Sequence, residues 1–372
     1  MSNPRNEFQE IGHCGGKFTV KVEISPDGNR RYQLGFSHDR PTGASIVALY
    51  ALPQGIPVGM IRLGGIGQEF NSAPFPNCFS IFIASDVEGK FGHECPECKG
   101  YWRSSGPSAI KQTTCPYCGV LGDGFQFLTK GQRIYIERCC QLIGEKLDSP
   151  ESCEASISMD EVADSAGRDV EKPTFYYAEE SQQKRFNCIS CECYNDILGR
   201  FGYCSRCGKH NGLSELSEEL NRIKQKIISS GEFENCLREA VAIFDSVGRS
   251  YSKQFAGRIP MTEKRTKEWE RKLFHSLDGI AEALDNNFDI GLFKGFHPDD
   301  KQFIRKMFLR RHVYEHNGGV VDDRYIKESG DVSVRSGQAI RESSDVVNRT
   351  IALIEKMGKN LDEGFHSILK PN

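Results

Sequence analysis

Eight of the fifteen cysteines in this 372-residue chain fall into four CxxC pairs, and the pairs come in twos. Cys95-Pro-Glu-Cys98 is followed after sixteen residues by Cys115-Pro-Tyr-Cys118-Gly119, and Cys188-Ile-Ser-Cys191 after twelve residues by Cys204-Ser-Arg-Cys207-Gly208. Two thiolates three positions apart can grip one ion from a tight knuckle, and two knuckles complete a tetrahedron. A glycine after the last cysteine lets the backbone turn its amides toward sulfur. The pattern predicts two zinc ribbons, with one structural Zn2+ on Cys95, Cys98, Cys115 and Cys118 and another on Cys188, Cys191, Cys204 and Cys207. Four protein ligands leave no open coordination position. A redox dithiol needs only one CxxC and explains doubled pairs poorly. His93 and Cys193 are the nearest residues that could substitute for a ligand.

The other seven cysteines (Cys14, Cys78, Cys139, Cys140, Cys153, Cys193 and Cys236) show no pairing pattern. Residues Met1 to Glu7 lack the apolar core of a signal peptide, and no apolar run approaches the length of a membrane span. The expected location is the reducing cytoplasm, with no membrane partner; an odd cysteine count there argues for metal over disulfides. The formal net charge is −3, so any nucleic-acid surface must come from local clustering of cations. A composition of 38% hydrophobic and 27% charged residues, at this length, suits two or three globular domains.

Residues 1 to about 90 read as β-rich. Phe18–Ile24 and Tyr32–Phe36 flank the turn sequence Ser25-Pro26-Asp27-Gly28-Asn29, and Ile46–Leu52, Val58–Leu63 and Phe79–Ala84 read as further strands. Leu63-Gly64-Gly65-Ile66-Gly67 lacks the Lys-Ser/Thr ending of a phosphate loop and reads as a turn between strands. A helix is expected at about Arg133–Lys146. Residues 148–172 hold eight acidic and two basic side chains with many serines, which reads as an exposed or disordered linker. From Leu213 onward apolar residues recur at helical spacing: Leu213, Leu216, Leu220, Ile223, Ile227; then Trp269, Leu273, Leu277, Ile280, Leu284; then Ile340, Val347, Ile351, Ile354, Leu361, Phe365. Adding Phe233–Tyr251 and Lys301–Asn317 gives five expected helices, enough for a bundle. The reading is an α+β chain: a β-rich domain with the first ribbon (1–147), an acidic linker (148–172), the second ribbon (173–211) and a helical domain (212–372).

One segment of the helical part stands out: Phe308-Leu309-Arg310-Arg311-His312-Val313-Tyr314-Glu315-His316-Asn317-Gly318-Gly319. Pro298-Asp299-Asp300 is a helix start and Gly318-Gly319 a stop, which puts His316 in the last turn. There the negative end of the helix dipole favours a protonated imidazole. His312 and His316, four apart, share a helix face, and Arg311 lies close by. Arg and His also occur at helix C-termini for the dipole alone, so spacing by itself does not assign chemistry.

An Arg, a polar residue, a short spacer and a His closing a long helix of a C-terminal bundle resemble the HEPN superfamily. Arg311-His312-Val313-Tyr314-Glu315-His316 fits the shortest form of its motif, and His316-Asn317-Gly318-Gly319-Val320-Val321-Asp322-Asp323 is similar to bacterial members. The resemblance covers roughly residues 213–372. Arg310 offers a variant with one more spacer residue, and the superfamily includes members without catalysis. The resemblance implies a homodimer in which two motif helices form one cleft, and a metal-independent endoribonuclease with Arg311, His312 and His316 as its catalytic residues. His316 then moves the proton of a ribose 2′-hydroxyl or of the leaving oxygen. Arg311 holds the phosphate, and His312 orients one of these groups or contacts the phosphate. It further implies RNA as substrate, a role as toxin or antiphage effector, and a regulatory or phage-derived partner. Lys264, Arg265, Lys267, Arg271, Lys272, Arg305, Lys306 and Arg310 are candidates for a basic rim.

Two rival readings use the same residues. His312-Val313-Tyr314-Glu315-His316 is a literal HxxEH, the inverted zincin motif, which requires a third metal ligand from elsewhere. The other rival is an adaptor without catalysis, in which ribbons and helices bind RNA or protein.

Overall fold

In a computed structural model, the described residues are 11–39, 45–61, 73–86, 88–106, 112–168 and 170–372. The chain divides into two compact units, one ending at Gly208 and joined by Asn372, the other Lys209–Pro371. The glycine-rich stretch 63–67 and the end of the strand expected at Val58–Leu63 lie outside the described residues.

The first unit holds strands β1 (Lys17–Ile24), β2 (Arg30–Ser37), β3 (Ile46–Ala51), β4 (Pro57–Ile61), β5 (Phe79–Ala84), β6 (Phe91–Glu94), β7 (Tyr101–Ser104), β8 (Thr113–Thr114) and β9 (Leu121–Gly122). Helix α1 (Lys130–Leu147), strand β10 (Cys153–Ser158), helix α2 (Met159–Arg168) and strands β11 (Gln183–Asn187) and β12 (Tyr194–Leu198) complete it. In β1 the alternation Phe18, Val20, Val22 faces inward, and the hairpin to β2 closes where Gly28 takes φ 82°. Tyr135, Ile136, Cys139, Cys140 and Ile143 of α1 pack into the same core, which suits small buried thiols acting as apolar filler. Thr129 and Gln132 cap α1 reciprocally, and the Gln132 amide also donates to the Gly92 carbonyl of β6 at 3.0 Å.

The acidic stretch 148–172 is not an exposed linker. β10 pairs antiparallel with β1 from Val22↔Cys153 to Lys17↔Ser158, and α2 buries Met159, Val162, Ala163 and Ala166. The amides of Cys14 and Gly15 donate to the Asp160 carboxylate at 2.9 and 3.0 Å. The inward positions of β10 are Cys153, Ala155 and Ile157; with two of the three small and acidic or serine residues between them, composition hides the alternation. Nor are the two expected ribbons separate modules: β12 of the second pairs with β7 of the first in one sheet ordered β11-β12-β7-β6.

The second unit is helical: α3 (Gly212–Ser230), α4 (Phe233–Arg258), α5 (Glu263–Glu270), α6 (Leu277–Phe288), α7 (Pro298–His316), α8 (Asp323–Ser329) and α9 (Ser344–Ile368). α4 packs against α3, α5, α7 and α9, and its buried residues (Leu237, Val241, Phe244, Val247, Tyr251 and Phe255 among them) make it the centre of the bundle. The helix expected across Trp269–Leu284 is broken into α5 and α6. Phe274 drops onto Gly248, where a Cβ would lie 2.1 Å from its ring, and the freed amides of Phe274 and His275 donate to Asp245 Oδ1 at 2.6 and 3.0 Å. A local helix propensity here yields to tertiary packing. α8 is a short helix that the periodicity does not announce.

Candidate functional site

In each cysteine quartet the Sγ atoms all lie within 4.8 Å of one another. The pairs Cys95–Cys118 and Cys98–Cys115 are 3.8 and 3.6 Å apart, and Cys188–Cys207 and Cys191–Cys204 are both 3.5 Å apart. A tetrahedral Zn2+ with Zn–S of about 2.3 Å needs sulfurs about 3.8 Å apart, so the donor set and the spacing both fit the ion. All four knuckles close alike. The residue after each second cysteine sits in the left-handed region (Lys99 at φ 58°, Gly119 at 70°, Glu192 at 59°, Gly208 at 71°), and its amide donates to the carbonyl of the first cysteine at 2.8 to 3.0 Å. The Ser190 amide and the Asn195 side chain point donors at Cys188 Sγ and Cys204 Sγ, the support a thiolate needs.

Neither substitute ligand joins a quartet. His93 stacks on Trp102 and bonds Ser104 Oγ at 2.8 Å; full burial pushes its imidazole down to about 3. Cys193 is buried beside the second quartet with its Sγ 3.9 Å from Ser205 Oγ. Among the described residues, the two cysteine quartets are the groups able to hold a metal.

Helix α7 starts as its sequence requires, with His297 capping the Asp299 amide and Pro298 in the first turn, and ends at His316 with Gly318 and Gly319 at φ 59° and 86°. The two adjacent arginines part ways there. Arg310 is buried: its Nη1 donates to both Glu342 oxygens at 3.2 and 3.1 Å, its Nη2 to Asp331 at 2.8 Å, and its Nε to the Tyr325 hydroxyl at 3.1 Å. Tyr325 in turn donates to Asp331 at 2.7 Å, and Tyr314 to Glu342 at 2.8 Å. Burial alone would raise Asp331, but bonds from Ser333, Arg310 and Tyr325 outweigh it and hold the carboxyl below its usual range. At Glu342 burial prevails over Arg310 and Tyr314, and the carboxyl is raised. This network is invisible in the sequence, because Asp331 and Glu342 come from irregular segments far along the chain.

Arg311 makes no such pairing, and its Nε is enclosed without a hydrogen-bond partner. His312 and His316 are exposed, with ring centroids 4.4 Å apart and planes inclined at 50°. Partial burial, and then the charges of His316, Arg324 and Arg311, push the His312 imidazole below its usual value. Glu315 accepts from Arg238 of α4 at 2.7 Å, and that bond holds its carboxyl below the ordinary range. The Asn317 amide donates to Asp322, the cap of α8, at 2.8 Å. The expected basic rim is largely matched by carboxylates: Lys267 by Glu263, Lys272 by Glu268, Arg305 by Asp278, and Lys306 and Arg310 by Asp331. Lys264, Arg265 and Arg271 remain as candidates.

Comparison of the chain with protein-family models, with curated proteins and with solved structures yields no match. Among the described residues, no helix is long and apolar enough to cross a membrane.

Proposed function

We propose that the helical unit is a metal-independent endoribonuclease of HEPN type that works as a homodimer, with Arg311, His312 and His316 as its catalytic residues. The observation that carries this reading is the pair of exposed imidazoles, ring centroids 4.4 Å apart, beside an arginine that forms no ion pair among the described residues, at the end of one helix. Two imidazoles so close disfavour a second charge, and burial and then the repulsion of His316 are part of what pushes the His312 imidazole below its usual value. An imidazole kept neutral is the form a general base needs. His316 takes the proton of the ribose 2′-hydroxyl or returns one to the leaving 5′-oxygen, and His312 complements it or contacts the phosphate. Arg311 offers its fork of donors to the phosphate as charge develops. RNA supplies its own nucleophile, so the products are a 2′,3′-cyclic phosphate and a 5′-hydroxyl, and DNA is inert. The two zinc ions stay structural in this scheme, and a toxin or antiphage role, with a regulatory or phage-derived partner, follows by resemblance alone.

The metallopeptidase rival is disfavoured by Glu315, whose carboxylate is bound to Arg238 instead of standing free to activate water. It is also disfavoured because no third ligand joins the two histidines among the described residues. The adaptor reading shares every feature except turnover. Incubating the protein with total RNA in mild chelator and sequencing the cut ends separates the two: defined ends bearing cyclic phosphates support the nuclease, and intact RNA under all conditions refutes it.

A further inference from the structure

Beside the first cysteine quartet, within the first unit, lies a cavity of about 480 Å³ that none of the chemistry above uses. Three lysines from separate segments converge on it: Lys99 from the knuckle, Lys130 from the first turn of α1, and Lys172 from the segment before β11. Among the described residues none of the three forms an ion pair; the Lys172 ammonium instead lies 5.4 and 5.6 Å from the rings of Tyr176 and Tyr177. Lys99 holds a left-handed conformation at φ 58°, as Glu192 does at the matching position of the second quartet at 59°.

We propose that this cavity binds a nucleoside phosphate. Three cations around one hollow, none in an ion pair among the described residues, call for an anion of more than one charge, and phosphate is the oxyanion that a lysine cluster takes as a set of point charges. The hollow is larger than phosphate alone requires and falls in the range of small-molecule sites. Part of its wall is apolar or aromatic, from Tyr101, Tyr117, Val170 and Leu198, and suits a planar base. Glu171 at the rim accepts from a ribose hydroxyl or an exocyclic amine; Glu94, also in the lining, lies near Arg133, whose charge it offsets. The site stands on residues of the first unit and does not depend on the nuclease reading.

The test is isothermal titration of the full zinc-loaded chain with ADP and, separately, with inorganic pyrophosphate, alongside a Lys130→Glu/Lys172→Glu variant. ADP binds the parent chain, pyrophosphate binds more weakly, and the variant loses about tenfold or more in affinity for ADP. The melt of the ligand-free variant stays unchanged, because neither lysine is engaged in an ion pair. A Val170→Trp chain, with the hollow filled, loses ADP while keeping its zinc. No heat and no melt shift with millimolar ADP overturns the proposal, as does equal ADP binding by the charge-reversed chain. Pyrophosphate binding as tightly as ADP overturns its nucleoside half.

Discussion

The guanidinium of Arg310 meets both oxygens of the buried Glu342 carboxylate, at 3.2 and 3.1 Å, and thereby ties the segment leading into α9 to the last turns of α7. Asp331 completes the clamp from the other side. Two carboxylates converge on one cation, so removing that cation strands buried charge. Arg310→Ala is expected to cost about 3–5 kcal/mol of stability, the range for breaking a buried ion pair from one side. Arg311→Ala, which breaks no ion pair, is expected to cost under about 1 kcal/mol. Urea unfolding of the two variants measures the difference; equal losses contradict the division of labour between the arginines.

The same clamp sets an acid limit. Asp331 has a folded-state pKa below its unfolded value, so it stabilises the fold above the ordinary carboxylate pKa of about 3.9, and that stability drains away as pH falls through the folded value. Glu342 is shifted upward and acts oppositely, its contribution being present in acid and lost as pH rises through its folded pKa. Asp331→Asn should therefore flatten the acid slope of stability, whereas Glu342→Gln should leave that slope and remove a smaller one of opposite sign at higher pH. Unfolding free energies measured from pH 2 to 7 decide it.

The two cysteine quartets constrain the first unit. Elemental analysis should find about two Zn2+ per chain, and Cys118→Ser or Cys207→Ser should each lose roughly one ion together with cooperative folding, because ion binding at such sites is folding energy. β7 and β12 join the two ribbons in one sheet, so loss of either ion should also lower the melt of the other. A metal-free chain with an unchanged melt contradicts the assignment.

Much of this was legible from residue order. Paired knuckles name the cysteines that the fold brings together, and Pro298 and Gly318 bracket α7 because one lacks an amide the first turn does not use and the other tolerates a left-handed backbone. What was hidden is tertiary in origin. β10 reads as linker because only Ile157 among its inward side chains is large, and the break between α5 and α6 depends on Gly248 making room for Phe274. Arg310 and Arg311 look interchangeable in sequence; their separation depends on Asp331 and Glu342 arriving from distant irregular segments.

Dimerisation follows from the proposed composite cleft, whose two motif helices come from two chains in a self-complementary arrangement. Light scattering at micromolar concentration should report twice the 41.8 kDa chain mass. A strict monomer, with and without RNA, removes the geometry the catalytic proposal needs.

The sharpest test uses four positions at the end of α7. If Arg311 and His316 supply electrostatic and acid–base catalysis, Arg311→Ala and His316→Ala should each cost on the order of a hundredfold or more in RNA cleavage. Both variants should keep their zinc and fold, since neither residue is a ribbon ligand. His312→Ala should also lower the rate, because its imidazole stands beside that of His316, with ring centroids 4.4 Å apart. Glu315→Gln divides the rivals: a metallopeptidase loses its base, whereas the nuclease loses only a half-exposed ion pair to Arg238. A 2′-deoxy substitution at the cut should abolish cleavage, and chelator mild enough to spare the ribbons should not. If His316→Ala cleaves RNA as fast as the parent chain, the α7 face is not an active site, and the adaptor reading takes its place.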